Sequence, residues 1–375
     1  MKNILGGGDF NFTIMKILHI VSFNYSHSNG IKAVLESLIP EQISLGHIVT
    51  VVNISRNIKN VFPIEFYVSN QKGFIQVFLK VLPDIVVFHS NYQMKFYSFA
   101  RWLVKNRIPY LIVPHGGTGI QNMKKKHFQK ILLSIFFTKK FVTDAQGVVF
   151  LNKQEKEDSY YLPVIKNACV IPNGTSRHII NIGKKANNDC IHFFYLARID
   201  FWHKGLDVLL NGIEDFWRKN QGLNCDFHFY GGSKLPDKVI QFKNILSQMS
   251  APIYYHGEVF GEEKKDAFIN GNIYILTSRF EGMPLTVLEA LSFGNPCIIS
   301  PYTNMSELIN KNNVGWITDT NRESIAKVLE IAYKEYKANK ISYIERSLDS
   351  VIPYTWQEIA KKTIELYKSV TADIN

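Results

Sequence analysis

The chain has 375 residues, which at roughly 150 residues per domain favours two domains. Apolar residues make up 46%, and no apolar stretch approaches the ~18 residues of a membrane-spanning helix. The four cysteines are scattered without a CxxC pair, which argues against a disulfide framework or a zinc knuckle and fits a reducing cytosol. The net charge of +11 favours a polyanionic partner: nucleic acid, an anionic membrane surface or a phosphorylated substrate.

Short apolar, β-branched runs that end in turn or polar residues predict buried strands through the first half. They lie at 17–22, 48–53, 84–90, 110–116 and 147–152, with helical patterns such as 30–45 and 92–106 between them. This alternation predicts a doubly wound parallel sheet. Because the first strand begins directly after Met15, we expect Met15 to be the working start and residues 1–14 to be a disordered extension.

The polar segment 181–189 predicts a linker, after which the alternation restarts. The second set of predicted strands lies at 192–197, 226–232, 252–257, 272–278 and 296–300. The predicted fold class is therefore α/β, with one Rossmann-like domain over 15–180 and another over 190–354. Ligands of open α/β sheets bind at the carboxyl ends of the strands, so polar residues just past strand ends are the candidates for chemistry.

The segment 278–300 carries the most informative pattern. The helix predicted at 284–293 is apolar on nearly every side and is therefore expected to be buried. Glu289 is a lone carboxylate in this helix, and a buried charge costs free energy unless it is paired or hydrogen-bonded. A ribose diol would satisfy it, and an internal Arg or Lys is the alternative.

Glu281, Gly282 and Met283 lie at the entrance of that helix. Unpaired backbone N–H groups and the helix dipole attract phosphate at such a place, and Gly282 lets a ligand approach the backbone. The alternative for Glu281 is a simple N-terminal charge.

Arg198 falls at the end of an apolar strand, and Lys204 falls just before a helix that begins near Gly205. Two fixed cations beside a helix N-terminus can neutralise a diphosphate leaving group without metal. No Asp-x-Asp pair occurs in the chain, so the usual metal–diphosphate chelate has no obvious ligands and no metal cofactor is expected. An isolated Arg or Lys is more often a solvated surface cation, and the coincidence with the two glutamates is what favours a site.

With these residues in place, the sequence resembles glycosyltransferase family four, the retaining group with the GT-B fold. The resemblance rests on Arg198 and Lys204, on the glycine turn Gly231-Gly232 after a strand, and on FEGMPLTVLEAL with its two glutamates. It implies two Rossmann-like domains separated by a cleft. It also implies a C-terminal helix that crosses back to the first domain, which the helical pattern at 355–370 matches.

The resemblance implies a nucleotide diphosphate sugar as co-substrate and a role for each matching position. Arg198 and Lys204 would hold the donor diphosphate, Glu289 would bind the ribose hydroxyls, and Glu281 would contact the donor sugar. The backbone amides that would meet sugar and phosphate lie around Gly282, Met283 and Leu285.

In the first domain the family has a glycine loop after the first strand, and here the loop is Ser28-Asn29-Gly30. Similar proteins often carry two glycines there, so Asn29 is a departure. His115 ends a strand and matches a histidine that lines the donor sugar in similar enzymes, and a hydrogen-bonded loop histidine is the alternative. His89, after another strand, is a weaker candidate. The glycines at 6–8 precede the first strand instead of following it, unlike a dinucleotide-binding loop.

The resemblance implies a retaining, metal-independent transfer of the sugar to a hydroxyl of a glycan or a lipid-linked saccharide. Similar bacterial proteins often build surface polysaccharide such as capsule or lipopolysaccharide, and we expect a cytoplasmic enzyme. One alternative is an epimerase of the same fold, although no acid/base set for the sugar C2 is evident. Another is a non-catalytic nucleotide-sugar-binding protein.

Residues 123–141, MKKKHFQKILLSIFFTKKF, bracket an apolar run with lysines. Basic clusters bind anionic lipid with roughly 1 kcal/mol per charge, so this segment is a candidate for peripheral contact with the inner face of the plasma membrane. A solvated helix end with a core-facing stripe explains it equally well. The other Lys and Arg residues are spread along the chain without a known DNA or RNA module, so nucleic acid is not an expected partner.

Overall fold

The computed structural model describes residues 13–23, 29–55, 61–90, 93–116, 137–187 and 189–372. The glycines at 6–8, Ser28 and most of the basic segment 123–141 lie outside the described residues. So does most of the extension expected before Met15. Within the described residues the chain forms two α/β domains, each built on a parallel sheet.

The N-terminal sheet has the strand order β3-β2-β1-β4-β5-β6-β7, and its neighbouring strands run parallel. The described strands are β1 (Lys16–Val21), β2 (Ile48–Asn53), β3 (Glu65–Tyr67), β4 (Ile85–His89), β5 (Tyr110–Val113), β6 (Gly147–Phe150) and β7 (Ala168–Val170). The helices with described bounds are α1 (Gly30–Ser44), α2 (Gln71–Val81), α3 (Met94–Lys105) and α4 (Lys153–Glu157).

The C-terminal sheet has the order β10-β9-β8-β11-β12-β13 and is also parallel. Its strands are β8 (Ile191–Leu196), β9 (Cys225–Tyr230), β10 (Ile253–Gly257), β11 (Ile273–Leu276), β12 (Cys297–Ile299) and β13 (Gly315–Ile317). The helices that follow β7 are α5 (Ile182–Ala186), α6 (Leu206–Lys219), α7 (Pro236–Leu246), α8 (Gly261–Asn270), α9 (Leu285–Ser292), α10 (Ser306–Asn312), α11 (Arg322–Ala338), α12 (Lys340–Ser350) and α13 (Trp356–Ala372).

Burial explains the strand patterns. Every residue of β4 and β11 is buried, as expected for central strands covered on both faces, and their sequences are apolar almost throughout. Strand β9, which lies between β8 and the edge strand β10, alternates buried and half-buried residues, because one of its faces is less covered. Each strand predicted from the sequence overlaps an observed strand.

The last helix, α13, packs against α1 of the N-terminal domain although it follows the whole C-terminal domain in sequence. Gln42 on α1 donates from Nε2 to Thr363 Oγ1 on α13 at 3.2 Å. At the start of α13 the Trp356 indole lies so close to Gly174 that a Cβ there would come within 2.5 Å of it. The crossing helix therefore contributes to the core of the first domain.

Candidate active site

A cavity of about 700 Å³ lies between the two sheets, at the carboxyl ends of their strands. Its volume is in the range of small-molecule sites. Apart from the weaker candidate His89, the described residues that the sequence singled out for binding or catalysis line it: Gly30, His115, Arg198, Lys204, Gly231, Gly232, Glu281, Gly282, Met283, Leu285 and Glu289. The structure thus brings them together, and their individual roles stay predictions.

Two of the cavity's charges form a buried ion pair. Lys204 is 9% exposed, and its Nζ donates to Glu281 Oε1 at 2.5 Å. Ser278 Oγ donates to the same oxygen at 2.7 Å. Burial alone would raise the pKa of the Glu281 carboxyl, but Lys204 and Ser278 together bring it below its ordinary value. Glu281 is therefore ionised at neutral pH, beside an ammonium group that is almost fully withdrawn from water.

Arg198 is exposed at the cavity rim and is held by a histidine that sequence reasoning passed over. His203 Nε2 donates to the Phe280 carbonyl at 2.8 Å, which leaves Nδ1 to accept from Arg198 Nη2 at 3.2 Å. Burial lowers the pKa of His203, so its ring is neutral and can accept from the guanidinium. The only sequence signal for His203 is its place next to Lys204.

Glu289 has one paired oxygen and one unpaired oxygen. Lys264 Nζ, on α8, donates to Oε1 at 2.6 Å, while Oε2 is buried with no hydrogen-bond partner among the described residues. The internal lysine that the sequence left open is thus present, yet it satisfies only half of the carboxylate. A buried acceptor without a partner is costly, and a ligand hydroxyl would satisfy it.

Backbone geometry requires glycine at Gly231, in the turn after β9. Its φ is +144°, and a Cβ there would lie 1.9 Å from the Ala197 carbonyl oxygen. The carbonyl of Gly231 accepts from the Tyr255 hydroxyl at 2.7 Å, which fixes the turn further. The glycine turn therefore lets the ends of β8 and β9 approach each other at the floor of the cavity.

Two glycines also bring the backbones of the two domains into contact. A Cβ on Gly282 would lie 3.1 Å from Gly116 Cα, so neither position has room for a side chain unless the other shifts. Asn152 Nδ2 donates to the Gly282 carbonyl at 2.7 Å, and Asn173 Nδ2 donates to the Met283 carbonyl at 3.0 Å. The loop before α9 is thus fixed by side chains of the opposite domain.

His115 follows β5 and has a φ of +50°, in the left-handed region that few side chains adopt. Its Nε2 lies 2.9 Å from Nδ1 of His89, the last residue of β4. His89 is only 2% exposed and does not line the cavity, so it contacts His115 from behind.

The Asn29 departure has a local explanation, since Asn29 is the N-cap of α1 and its side chain accepts from Lys32 N.

In the described part of the chain, one cluster of side chains could offer ligands to a metal ion, and it lies away from the cavity. The ligand atoms of Cys190, His192 and Asp226 lie within 4.8 Å of one another, near the amino ends of β8 and β9. His192 Nδ1 lies 2.6 Å from Asp226 Oδ1, and His228 Nε2 lies 3.1 Å from the same oxygen. These contacts place two histidine rings around one carboxylate at the sheet edge opposite the cavity.

Residues 191–334 match the family model described as Glycosyl transferases group 1. The chain is 25% identical over 177 residues to an uncharacterized glycosyltransferase of Methanocaldococcus jannaschii, covering 46% of this chain and 44% of that protein. It is 20% identical over 380 residues to a phosphatidylinositol N-acetylglucosaminyltransferase subunit of Homo sapiens, covering 95% of this chain and 76% of that protein. The match to the archaeal relative therefore spans less than half of either protein.

Among solved structures, Anabaena HepE in complex with UDP superposes with a TM-score of 0.74 at 14% identity, covering 95% of this chain and 100% of that chain. The chain has the GT-B fold. Together with the family match, the relatives support glycosyltransferase function for this GT-B chain. The seven charged residues of the cavity lining all lie inside the segment that the family model matches, and they include Arg198, Lys204, Glu281 and Glu289.

Proposed function

We propose that this protein is a retaining glycosyltransferase of family four that moves a sugar from a UDP- or GDP-linked donor to an acceptor hydroxyl without a metal ion. The observation that carries the proposal is a buried ammonium, on Lys204, and an unpaired carboxylate oxygen, on Glu289, in one cavity between the sheets. The ammonium suits a diphosphate, and the oxygen suits a ribose hydroxyl.

The charges of the cavity suit a diphosphate. Its lining carries four cations and three carboxylates, a surplus of one positive charge: Arg198, Lys204, Lys234 and Lys264 against Glu258, Glu281 and Glu289. The N-terminus of α9, at Leu285, adds backbone N–H groups and the positive end of a helix dipole. Because Glu281 already holds Lys204, we expect the ammonium to be shared between carboxylate and phosphate when the donor binds. The growing charge on the leaving phosphate would then be stabilised by preformed donors.

The family resemblance supports front-face attack, in which the acceptor hydroxyl approaches on the side of the leaving group. In this mechanism the departing phosphate oxygen takes the hydroxyl proton, and no enzyme nucleophile is needed. Glu281 fits a positioning role, because Oε1 is already engaged by Lys204 and Ser278. The protein would act by orienting the two substrates and by stabilising charge.

A panel of nucleotide sugars tests the proposal directly. The full chain is incubated with common UDP- and GDP-sugars, and both the unfolding temperature and the release of UDP or GDP are followed. We expect one donor class to raise the unfolding temperature, since a ligand that binds the native state stabilises it by mass action, and to be hydrolysed slowly. A chain that no nucleotide sugar stabilises, and that releases no nucleotide, would contradict the proposal.

Glu289→Gln is expected to raise the donor KM by about ten-fold with little change in kcat. The variant keeps the shape of the side chain but removes the charge that would accept from the ribose hydroxyls, and one charge-assisted hydrogen bond contributes about 1.5–3 kcal/mol. The control is Lys264→Met, which breaks the ion pair at Oε1 and leaves Oε2 in place. If both variants raise KM equally, Glu289 acts only through its ion pair, and an unchanged KM would make it structural.

For the acceptor we propose a glycan or a lipid-linked saccharide of a bacterial surface polysaccharide, reached from the cytoplasmic face of the membrane. The human relative is named for a transferase acting on phosphatidylinositol, which supports an acceptor with a lipid part. Across the ranges that the structure describes, the helices are too short or too polar to cross a bilayer. The basic segment 123–141 is the proposed peripheral contact.

The chain is expected to co-sediment with vesicles that contain anionic lipid and to stay in the supernatant with neutral vesicles. Replacing the three lysines at 124–126 with glutamine should lower the bound fraction, because each basic residue contributes about 1 kcal/mol at an anionic surface. A triple glutamine variant of Lys361, Lys362 and Lys368 on α13 removes the same charge elsewhere and serves as the control. Equal sedimentation with both kinds of vesicle would argue against membrane contact.

A further inference from the structure

A row of buried polar side chains runs from the cavity to the crossing helix. His115 Nε2 lies 2.9 Å from His89 Nδ1, and His89 Nε2 lies 2.8 Å from Nδ1 of His19 in the middle of β1. His19 Nε2 lies 3.1 Å from Gln42 Oε1, and Gln42 Nε2 lies 3.2 Å from Thr363 Oγ1. His19 and Gln42 are fully buried, which is unusual for such polar side chains unless each is satisfied.

The far end of this row fixes which atoms carry the protons. The Thr363 hydroxyl donates to the Ala360 carbonyl at 2.8 Å, so Thr363 Oγ1 accepts from the amide of Gln42. Gln42 therefore turns its NH₂ group toward α13 and its Oε1 toward His19. An amide oxygen can only accept, so His19 Nε2 must carry the proton.

The same logic then passes from ring to ring. With its proton on Nε2, neutral His19 accepts at Nδ1 from His89 Nε2–H. His89 in turn accepts at Nδ1 from His115 Nε2–H. Burial keeps all three rings neutral: it lowers the pKa of His19 and of His115 to about 4, and that of His89 well below its ordinary value.

The row leaves His115 with a bare ring nitrogen. Its Nδ1 has no hydrogen-bond partner among the described residues, and the residue lines the cavity. The left-handed backbone of His115 is consistent with a ring held in place by its surroundings, since such a conformation persists only where neighbours enforce it. A neutral imidazole held in this way can accept a hydrogen bond but cannot donate one at Nδ1.

We propose that His19, His89 and Gln42 are positioning residues that hold His115 in its Nε2–H tautomer, so that the cavity presents a hydrogen-bond acceptor to the substrate. The proposal rests on the proposed function only for the identity of that substrate. The matching ligand group is a hydroxyl or an amide N–H of a sugar. A carboxylate in its place, as in a hexuronic acid, would leave His115 Nδ1 unpaired and would be disfavoured.

The tautomers can be observed without substrate. Long-range ¹H–¹⁵N spectra of the full chain labelled with ¹⁵N-histidine distinguish protonated from bare ring nitrogens, and the signal lost in His115→Gln identifies that ring. At pH 7 we expect His115 to be neutral with its proton on Nε2. A charged His115, or one with its proton on Nδ1, would overturn the proposal.

Gln42→Leu is the decisive variant. It removes the acceptor opposite His19 Nε2, so a proton on that nitrogen would be left unpaired and all three rings are expected to change tautomer. His19 then donates from Nδ1 to His89, His89 donates from Nδ1 to His115, and His115 carries its proton on Nδ1. We expect this reversal in the spectra, together with a loss of about five-fold in kcat/KM, the fold-change for one hydrogen bond of about 1 kcal/mol. A His115 that keeps its Nε2 proton in Gln42→Leu would refute the positioning role.

A matched pair on α13 controls for general disturbance of the fold. Thr363→Val removes the hydroxyl that orients the Gln42 amide, and we expect His115 to show both tautomers. Thr363→Ser keeps the hydroxyl and should restore the wild-type spectrum. If the spectra follow these expectations while no nucleotide sugar binds, the proposed function fails and the positioning role of the histidine row stands. If a nucleotide sugar binds while the spectra do not follow them, the positioning role fails and the proposed function stands.

Discussion

Lys204→Met is expected to lower kcat by about 10²- to 10³-fold, the range found when one preorganised donor to a developing negative charge is removed. Lys204 is the most buried cation of the cavity lining, so its charge is little screened by water. The measurement is steady-state transfer with the donor that the nucleotide-sugar panel identifies. Turnover within a few-fold of wild type would remove Lys204 from the site.

The controls separate lost catalysis from lost folding. Among the described residues, loss of Lys204 leaves the buried Glu281 carboxylate with the Ser278 hydroxyl and the neutral His203 ring as side-chain partners, which is destabilising by itself. The double variant Lys204→Met/Glu281→Gln removes that stranded charge, so its unfolding temperature should recover while its turnover stays low. Lys334→Met breaks an exposed Lys–Glu pair on α11 and should leave kcat unchanged.

The free energy of unfolding is expected to fall by roughly 4 kcal/mol between pH 7 and pH 5, from His19 and His115 together. Burial lowers the pKa of each ring from 6.5 to about 4. Below pH 6.5 the unfolded chain therefore binds protons at these histidines, whereas the native rings stay neutral until the pH approaches 4. The stability that is fully present above pH 6.5 is lost as the pH falls toward 4. His89, whose pKa burial also lowers, changes stability in the same direction.

Urea unfolding at a series of pH values checks this expectation. In the window between pH 6.5 and 4, one buried neutral histidine contributes a slope of about 1.4 kcal/mol per pH unit. His19→Gln removes one such ring, so its stability should depend on pH less steeply by about that amount. A variant with the wild-type slope would show that the native ring binds its proton as readily as the unfolded one.

The expected GT-B fold is confirmed. It could be predicted because the apolar patterns that indicate its strands and helices are local in the sequence. Strands such as β4 and β11 are buried on both faces, so their sequences are nearly continuous apolar runs bounded by turns. The edge strands β3 and β13 have three residues each and were not predicted, since so short a run carries no period. The helix predicted at 284–293 is observed as α9 from Leu285 to Ser292, with Pro284 as its N-cap.

The cavity residues could be located because they stand next to strand ends and helix entrances, where chain topology alone brings them to one edge. Their partners could not be located in this way. Lys264 lies 25 residues from Glu289 on a charged helix that reads as solvated surface, and Gln42 meets Thr363 across 321 residues. His19 stands within an apolar strand, where the sequence gives no sign of what its ring contacts. Such pairs are decided by tertiary packing.

The crossing of α13 bears on how the chain folds during synthesis. The ribosome makes the N-terminal domain first, but the helix that covers α1 emerges only after the whole C-terminal domain. Until then the apolar residues of α1 that α13 will cover, together with Gln42, lack their final neighbour. The first domain therefore cannot reach its native state ahead of the second, and the two should become resistant to protease together, late in translation.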